Sequence, residues 1–86
     1  MWYFYVLECS DGSFYSGVTP DYIKRLEKHS VGKASVYTKK RRPVTLKYVE
    51  SFKIKHAASD REIVFKKLDI DGKSQLIEDG RGIKEF

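Results

Sequence analysis

Two phenols flank one turn near the start of the chain: Tyr5 and Tyr15 stand on either side of Asp11-Gly12 in the aromatic stretch FYVLECSDGSFYSG. A phenol can carry a proton or orient a water, although strands also use tyrosine as a core ring with a tethered hydroxyl. Arg25 and His29 share a helical face with Tyr22, since residues three and four apart are neighbours on a helix. An arginine there can clamp a phosphate at two points, or simply pair with Asp21 one turn earlier. Glu62 has two plain explanations, a pair with Lys66 on its own helix or a capping box with Ser59 in SDRE. The charge pattern adds a direction. Between positions 21 and 48, Lys24, Arg25, Lys28, Lys33, Lys39, Lys40, Arg41, Arg42 and Lys47 face only Asp21 and Glu27. The rest of the chain is slightly acidic, and the cations are interleaved with Tyr22, His29 and Tyr37, as a surface that tracks phosphates requires.

These groups must be positioned by a few elements. WYFYVLEC and FYSGV are aromatic and β-branched runs around a turn, which predicts a β-hairpin. Loop length decides which residues share a face. A two-residue loop would put the phenols on opposite faces. A three-residue loop, Ser10-Asp11-Gly12, with Gly12 left-handed, pairs Tyr5 with Gly17 and Leu7 with Tyr15, so both phenols line one face. Gly17 would then leave open space above the Tyr5 ring. Thr19 and Pro20 read as the cap and first position of a helix over 20–29, with Ile23 and Leu26 inward and Tyr22, Arg25 and His29 on a different, more polar face. VGKASVYTKKRR reads as an exposed loop, and Pro43 opens a third strand, VTLKYVESF, with Val44, Leu46 and Tyr48 alternating inward. A second helix over 56–68 offers Ala57, Val64, Phe65 and Leu68. A shorter helix is expected from Lys73 to about Asp79. The fold class is therefore α/β (α+β): a small, three-stranded, mainly antiparallel sheet flanked by helices, in the order β-β-α-β-α with a further short helix. One domain over 1–80 and a loosely held tail over 81–86 complete the expectation.

With 86 residues the chain supports one modest core, so a site must share its walls. Its 17 Lys and Arg against 12 Asp and Glu leave a charge of +5, which makes a polyanion the first partner to consider. A lone Cys9 offers no internal disulfide and no zinc spacing, which fits a reducing cytoplasm. No apolar stretch is long enough to span a membrane.

Taken together, the order and spacing resemble the GIY-YIG nucleases, specifically small stand-alone members built around the URI nuclease domain. The two name-giving motifs fall on YFY, residues 3–5, and YSG, residues 15–17, retaining Tyr5, Tyr15 and Gly17. The family arginine matches Arg25 in KRLEKH, with His29 where many members carry histidine. GKASVYTKKRRPVTLKYVE is similar to the corresponding stretch of small members, and the metal-binding glutamate corresponds to Glu62 in DREIVFKKL. Tyr3 and Phe4 depart from the first motif, and the chain has no asparagine, which larger members often place at the active site. The resemblance implies hydrolysis of phosphodiester bonds in DNA, with RNA an open alternative, in repair or recombination. It implies one Mg²⁺ or Mn²⁺ held by Glu62, with Arg25 as the phosphate clamp, Tyr5 as general base, Tyr15 orienting the water or Tyr5, and His29 either assisting or only contacting phosphate. A phenol with a pKa of about 10 is a poor base unless nearby cations lower it. Gly17, Lys24, Lys28, Lys33, Tyr37, Lys39, Lys40, Arg41 and Arg42 are the expected nucleic-acid contacts. A monomer is expected, with room for a recruiting protein partner, because one small domain has a limited footprint. The alternative function is a non-catalytic nucleic-acid-binding module on the same fold.

Overall fold

A computed structural model describes residues 1–78. The elements run β1 (Trp2–Glu8), β2 (Phe14–Thr19), α1 (Tyr22–Ser30), α2 (Val36–Lys39), β3 (Thr45–Phe52), α3 (Lys55–Lys66) and α4 (Ile70–Leu76). The three strands form an antiparallel sheet in the order β2-β1-β3. The order of elements is the expected one with a single helical turn, α2, added before β3. The expected tail at 81–86 lies outside the described residues.

Phe4, Tyr5, Val6 and Leu7 of the central β1 are all buried, so both faces of the sheet are covered. On one face Phe4, Val6 and Tyr48 pack with Phe65 of α3. On the other Tyr5, Leu7 and Val49 pack with Tyr15 and with Tyr22 and Leu26 of α1. The hairpin has the three-residue loop: Cys9 N–H donates to the Ser13 carbonyl, Gly12 N–H to the Cys9 carbonyl, and Gly12 has φ of 84°. Tyr5 therefore opposes Gly17, and Leu7 opposes Tyr15.

Strand β3 departs from the expected alternation. Its register against β1 shifts between Val6 and Leu7, which pair with Tyr48 and Leu46 and leave Lys47 as the extra residue. An extra residue reverses the period-two pattern. Tyr48 consequently joins the face of Phe4, while Val44 and Leu46 lie against the face of Tyr5.

Helix α1 begins later than Thr19-Pro20 suggested, because the Asp21 carboxylate caps it by accepting from Lys24 N–H at 3.1 Å. Thr19 instead accepts from Asp21 N–H. The inward face is consequently that of Tyr22, Leu26 and His29, with His29 fully buried and Ile23 exposed. The segment read as an exposed loop is ordered by Ser35, whose hydroxyl accepts from Thr38 N–H to cap α2, and it buries Thr38 completely. In α3 the buried positions are Ala58 and Phe65, and the expected Val64 is exposed. The last helix starts earlier than position 73 because Asp69 accepts from Gly72 N–H and caps it. Among the described residues no helix is long and apolar enough to cross a membrane.

Candidate active site

Strand β2 is an edge of the sheet, and a cleft of about 460 Å³ wraps around that edge. Alternation along β2 sends Tyr15 and Gly17 toward α1, and Phe14, Ser16 and Val18 toward α3. The cleft is therefore lined by Tyr5, Tyr15 and Arg25 from one side of the sheet and by Glu62, Lys66 and Lys73 from the other.

The Tyr5 ring lies across Gly17. A Cβ at Gly17 would stand 2.5 Å from the Tyr5 hydroxyl and 2.7 Å from its ring carbon Cζ. The space expected above the ring is thus filled by the phenol itself, and glycine is what lets it cross the edge strand.

The phenol meets His29 Nε2 at 2.9 Å, and the opposite ring nitrogen, Nδ1, meets Thr38 Oγ1 at 2.8 Å. Burial pushes the Tyr5 phenol well above its usual range, with Tyr15 adding to the rise, and the positive charge of Arg25 only partly opposes it. The expected lowering by nearby cations is outweighed, and Tyr5 keeps its proton at neutral pH. Burial, and secondarily Arg25, lowers His29 to about 4, so its imidazole is neutral. Tyr15 sets its ring edge-on to His29, 5.2 Å between centroids, and stacks on Tyr37. Tyr37 is held by donating to Ser13 Oγ at 2.7 Å and by the Arg41 guanidinium, 3.8 Å from its centroid.

Across the cleft, Glu62 Oε2 accepts from Ser16 Oγ at 3.2 Å and pairs with Lys66 Nζ at 3.3 Å. The plain Lys66 pairing is therefore present, whereas the Ser59 capping box is not, since α3 begins at Lys55. The Glu62 carboxylate already holds a cation at the cleft wall. Among the described residues no three His, Cys, Asp or Glu side chains form a metal cluster. One carboxylate beside open space suits a hard cation that keeps most of its waters.

The basic segment divides in two. Lys24, Lys28, Lys33, Lys39 and Lys40 are exposed. Arg41 pairs with Asp11 at 3.1 Å and donates to the Tyr37 carbonyl, while Arg42 donates to the carbonyls of Lys39 and Ser30. The arginines fasten the α1–α2–β3 connection, and the lysines project from it. Lys47 pairs with Glu8.

Four residues at or behind the cleft escaped the sequence reading. Lys66 carried a signal, its i,i+4 spacing from Glu62, which also has an ordinary explanation. Ser16 was legible as the residue between Tyr15 and Gly17, facing away from both. Thr38 and Lys73 had no local signal, because their places depend on how α2 and α4 fold back.

A profile described as "GIY-YIG catalytic domain" matches residues 1–73. The UPF0213 protein YazA of Bacillus subtilis is 47% identical over 83 residues, covering 96% of this chain and 84% of that one. A UPF0213 protein of Streptococcus sanguinis is 54% identical over 65 residues, covering 76% and 75%. The solution NMR structure of a UPF0213 protein from Bacillus halodurans aligns with a TM-score of 0.61 at 40% identity, covering 93% and 86%.

Proposed function

The chain belongs to the GIY-YIG family, and on that premise we propose that it is a divalent-metal-dependent endonuclease that hydrolyses phosphodiester bonds in DNA. The observation that carries this reading is the convergence in one cleft of a guanidinium, a hydrogen-bonded phenol and a carboxylate, from opposite faces of the sheet. Hydrolysis needs an oriented water, a route for its proton and positive charge where the phosphate oxygens become more negative. Arg25 supplies permanent charge in a fork that matches two phosphate oxygens. Lys66 and Lys73, on the opposite wall, hold the strand to either side.

Tyr5 acts as a neutral phenol. Its oxygen takes a proton from the attacking water while its own proton passes to His29 Nε2. The incoming phosphate offsets the Arg25 charge that disfavours protonated His29, so substrate raises the acceptor's basicity. Tyr15 fixes the imidazole plane by its edge-on contact. Glu62, steadied by Ser16, is the residue that would hold one Mg²⁺ or Mn²⁺. Such an ion supplies Lewis acidity at phosphate oxygens and lowers the pKa of water. Lys66 would then turn from Glu62 toward the substrate. A cytoplasmic role in repair or recombination is part of the same proposal.

The test incubates wild type, Glu62→Ala and Tyr5→Phe with labelled single-stranded, duplex, flap and four-way-junction DNA and a structured RNA. Each is run with Mg²⁺, with Mn²⁺ and with chelator, after circular dichroism shows equal folding. Metal-dependent cleavage that falls on the order of 10²-fold or more in both variants is expected. No cleavage by wild type, with retained salt-sensitive binding, overturns it in favour of a binding module.

A further inference from the structure

We propose that Thr38 is a positioning residue for this site: its hydroxyl accepts from Nδ1–H of His29 and so holds the imidazole in the tautomer that presents an unprotonated Nε2 to Tyr5. The kinetic consequence rests on the nuclease reading, whereas the hydrogen-bond assignment does not.

A neutral imidazole has one N–H and one lone pair, so the partner of one ring nitrogen decides what the other offers. Thr38 and His29 are both wholly inaccessible to solvent, and the Thr38 hydroxyl meets His29 on the side of the ring away from Tyr5. Water therefore cannot replace the Nδ1 contact. The hydroxyl has its own outlet. Thr38 Oγ1 donates to the Ser35 carbonyl at 3.4 Å, within the turn that Ser35 caps. Ser35 Oγ lies 2.9 Å from the same oxygen and can donate to it. With its proton directed to a carbonyl, Thr38 Oγ1 is left as an acceptor facing Nδ1. Nδ1 must then carry the hydrogen, and Nε2 is left to accept from the Tyr5 hydroxyl. In the opposite tautomer Nε2–H would donate to Tyr5, and the phenol could pass no proton inward.

The role belongs to tertiary structure. Thr38 sits on α2, nine residues beyond His29, and α2 is seated by the Ser35 cap and the stacking of Tyr37 on Tyr15.

The test reads the imidazole directly. Long-range proton–nitrogen correlation spectra at pH 7 of nitrogen-15-labelled wild type, Thr38→Ser and Thr38→Val distinguish protonated from unprotonated ring nitrogens, with His56 as an internal reference. Wild type and Thr38→Ser are expected to carry the hydrogen on Nδ1, and Thr38→Val to shift to Nε2–H or a mixture. In cleavage assays Thr38→Val should lose at least about 10-fold in kcat, part of the 10²–10⁴-fold a positioned acid or base contributes. KM should stay within about threefold, and Thr38→Ser should recover the rate. A wild-type spectrum with Nε2–H overturns the proposal, as does a folded Thr38→Val protein with an unchanged spectrum. Should Thr38→Val not fold, the wild-type and Thr38→Ser spectra still decide it. Absence of cleavage by wild type would overturn the nuclease reading alone.

Discussion

His29 is neutral at pH 7 because burial and the neighbouring Arg25 both disfavour its charge, holding its pKa at about 4 against an ordinary 6.5. Between those values the unfolded chain binds a proton that the folded chain refuses, so stability rises with pH across that window. The stabilisation is fully present above pH 6.5 and is lost progressively as pH falls toward 4, by at most about 1.4 kcal/mol per pH unit. Thermal unfolding of wild type and His29→Gln at intervals from pH 7 to pH 4 should show the steeper loss in wild type. Parallel curves would mean that His29 titrates normally. The types of Tyr5, Tyr15, Arg25 and Glu62 and their order along the chain were legible in the sequence. The burial of His29 was not, because it depends on a helix register set by the Asp21 cap rather than by Thr19 and Pro20.

Within the hairpin, the Asp11-Gly12 turn and the strand pattern predicted the pairing of Tyr5 with Gly17, since turn length and register are local properties. What the pairing accomplishes differs from the expectation, for the phenol crosses its partner glycine and meets His29 beyond it. Gly17→Ala should therefore cost about 1–3 kcal/mol from overpacking, and the displaced ring should lose His29. Urea denaturation measures the first effect, and an unchanged midpoint would show that the ring relocates freely. Element α2 was hidden in a basic stretch because one turn of helix has no periodicity to read; Ser35 and burial of Thr38 hold it instead. The bulge at Lys47 was equally silent, since the alternation of VTLKYVESF is valid on either side of it but not across it.

Over the whole molecule, the cleft joins two surfaces that the chain presents on opposite faces of one sheet. Arg25 comes from the α1 side and Lys66 and Lys73 from the α3 side, and further lysines of α1 and α2 are exposed. A phosphate strand laid over the β2 edge would meet cations in both directions. Binding to a short duplex DNA should weaken with salt, with a slope of log affinity against log salt of about −4.5 for about five neutralised phosphates. Fluorescence anisotropy over a salt series measures it, and a slope near zero would remove nucleic acid as the partner. Sequence alone was enough for the order of the strands and longer helices, the hairpin register, the basic bias and the residue types that could do chemistry, because these follow from local propensity, period and composition. That Glu62 and Arg25 share a cleft, that His29 is buried behind Tyr5 and that Thr38 stands behind His29 depends on tertiary packing. Those relations join residues 9 to 37 positions apart through tertiary packing, and no local pattern encodes such distances.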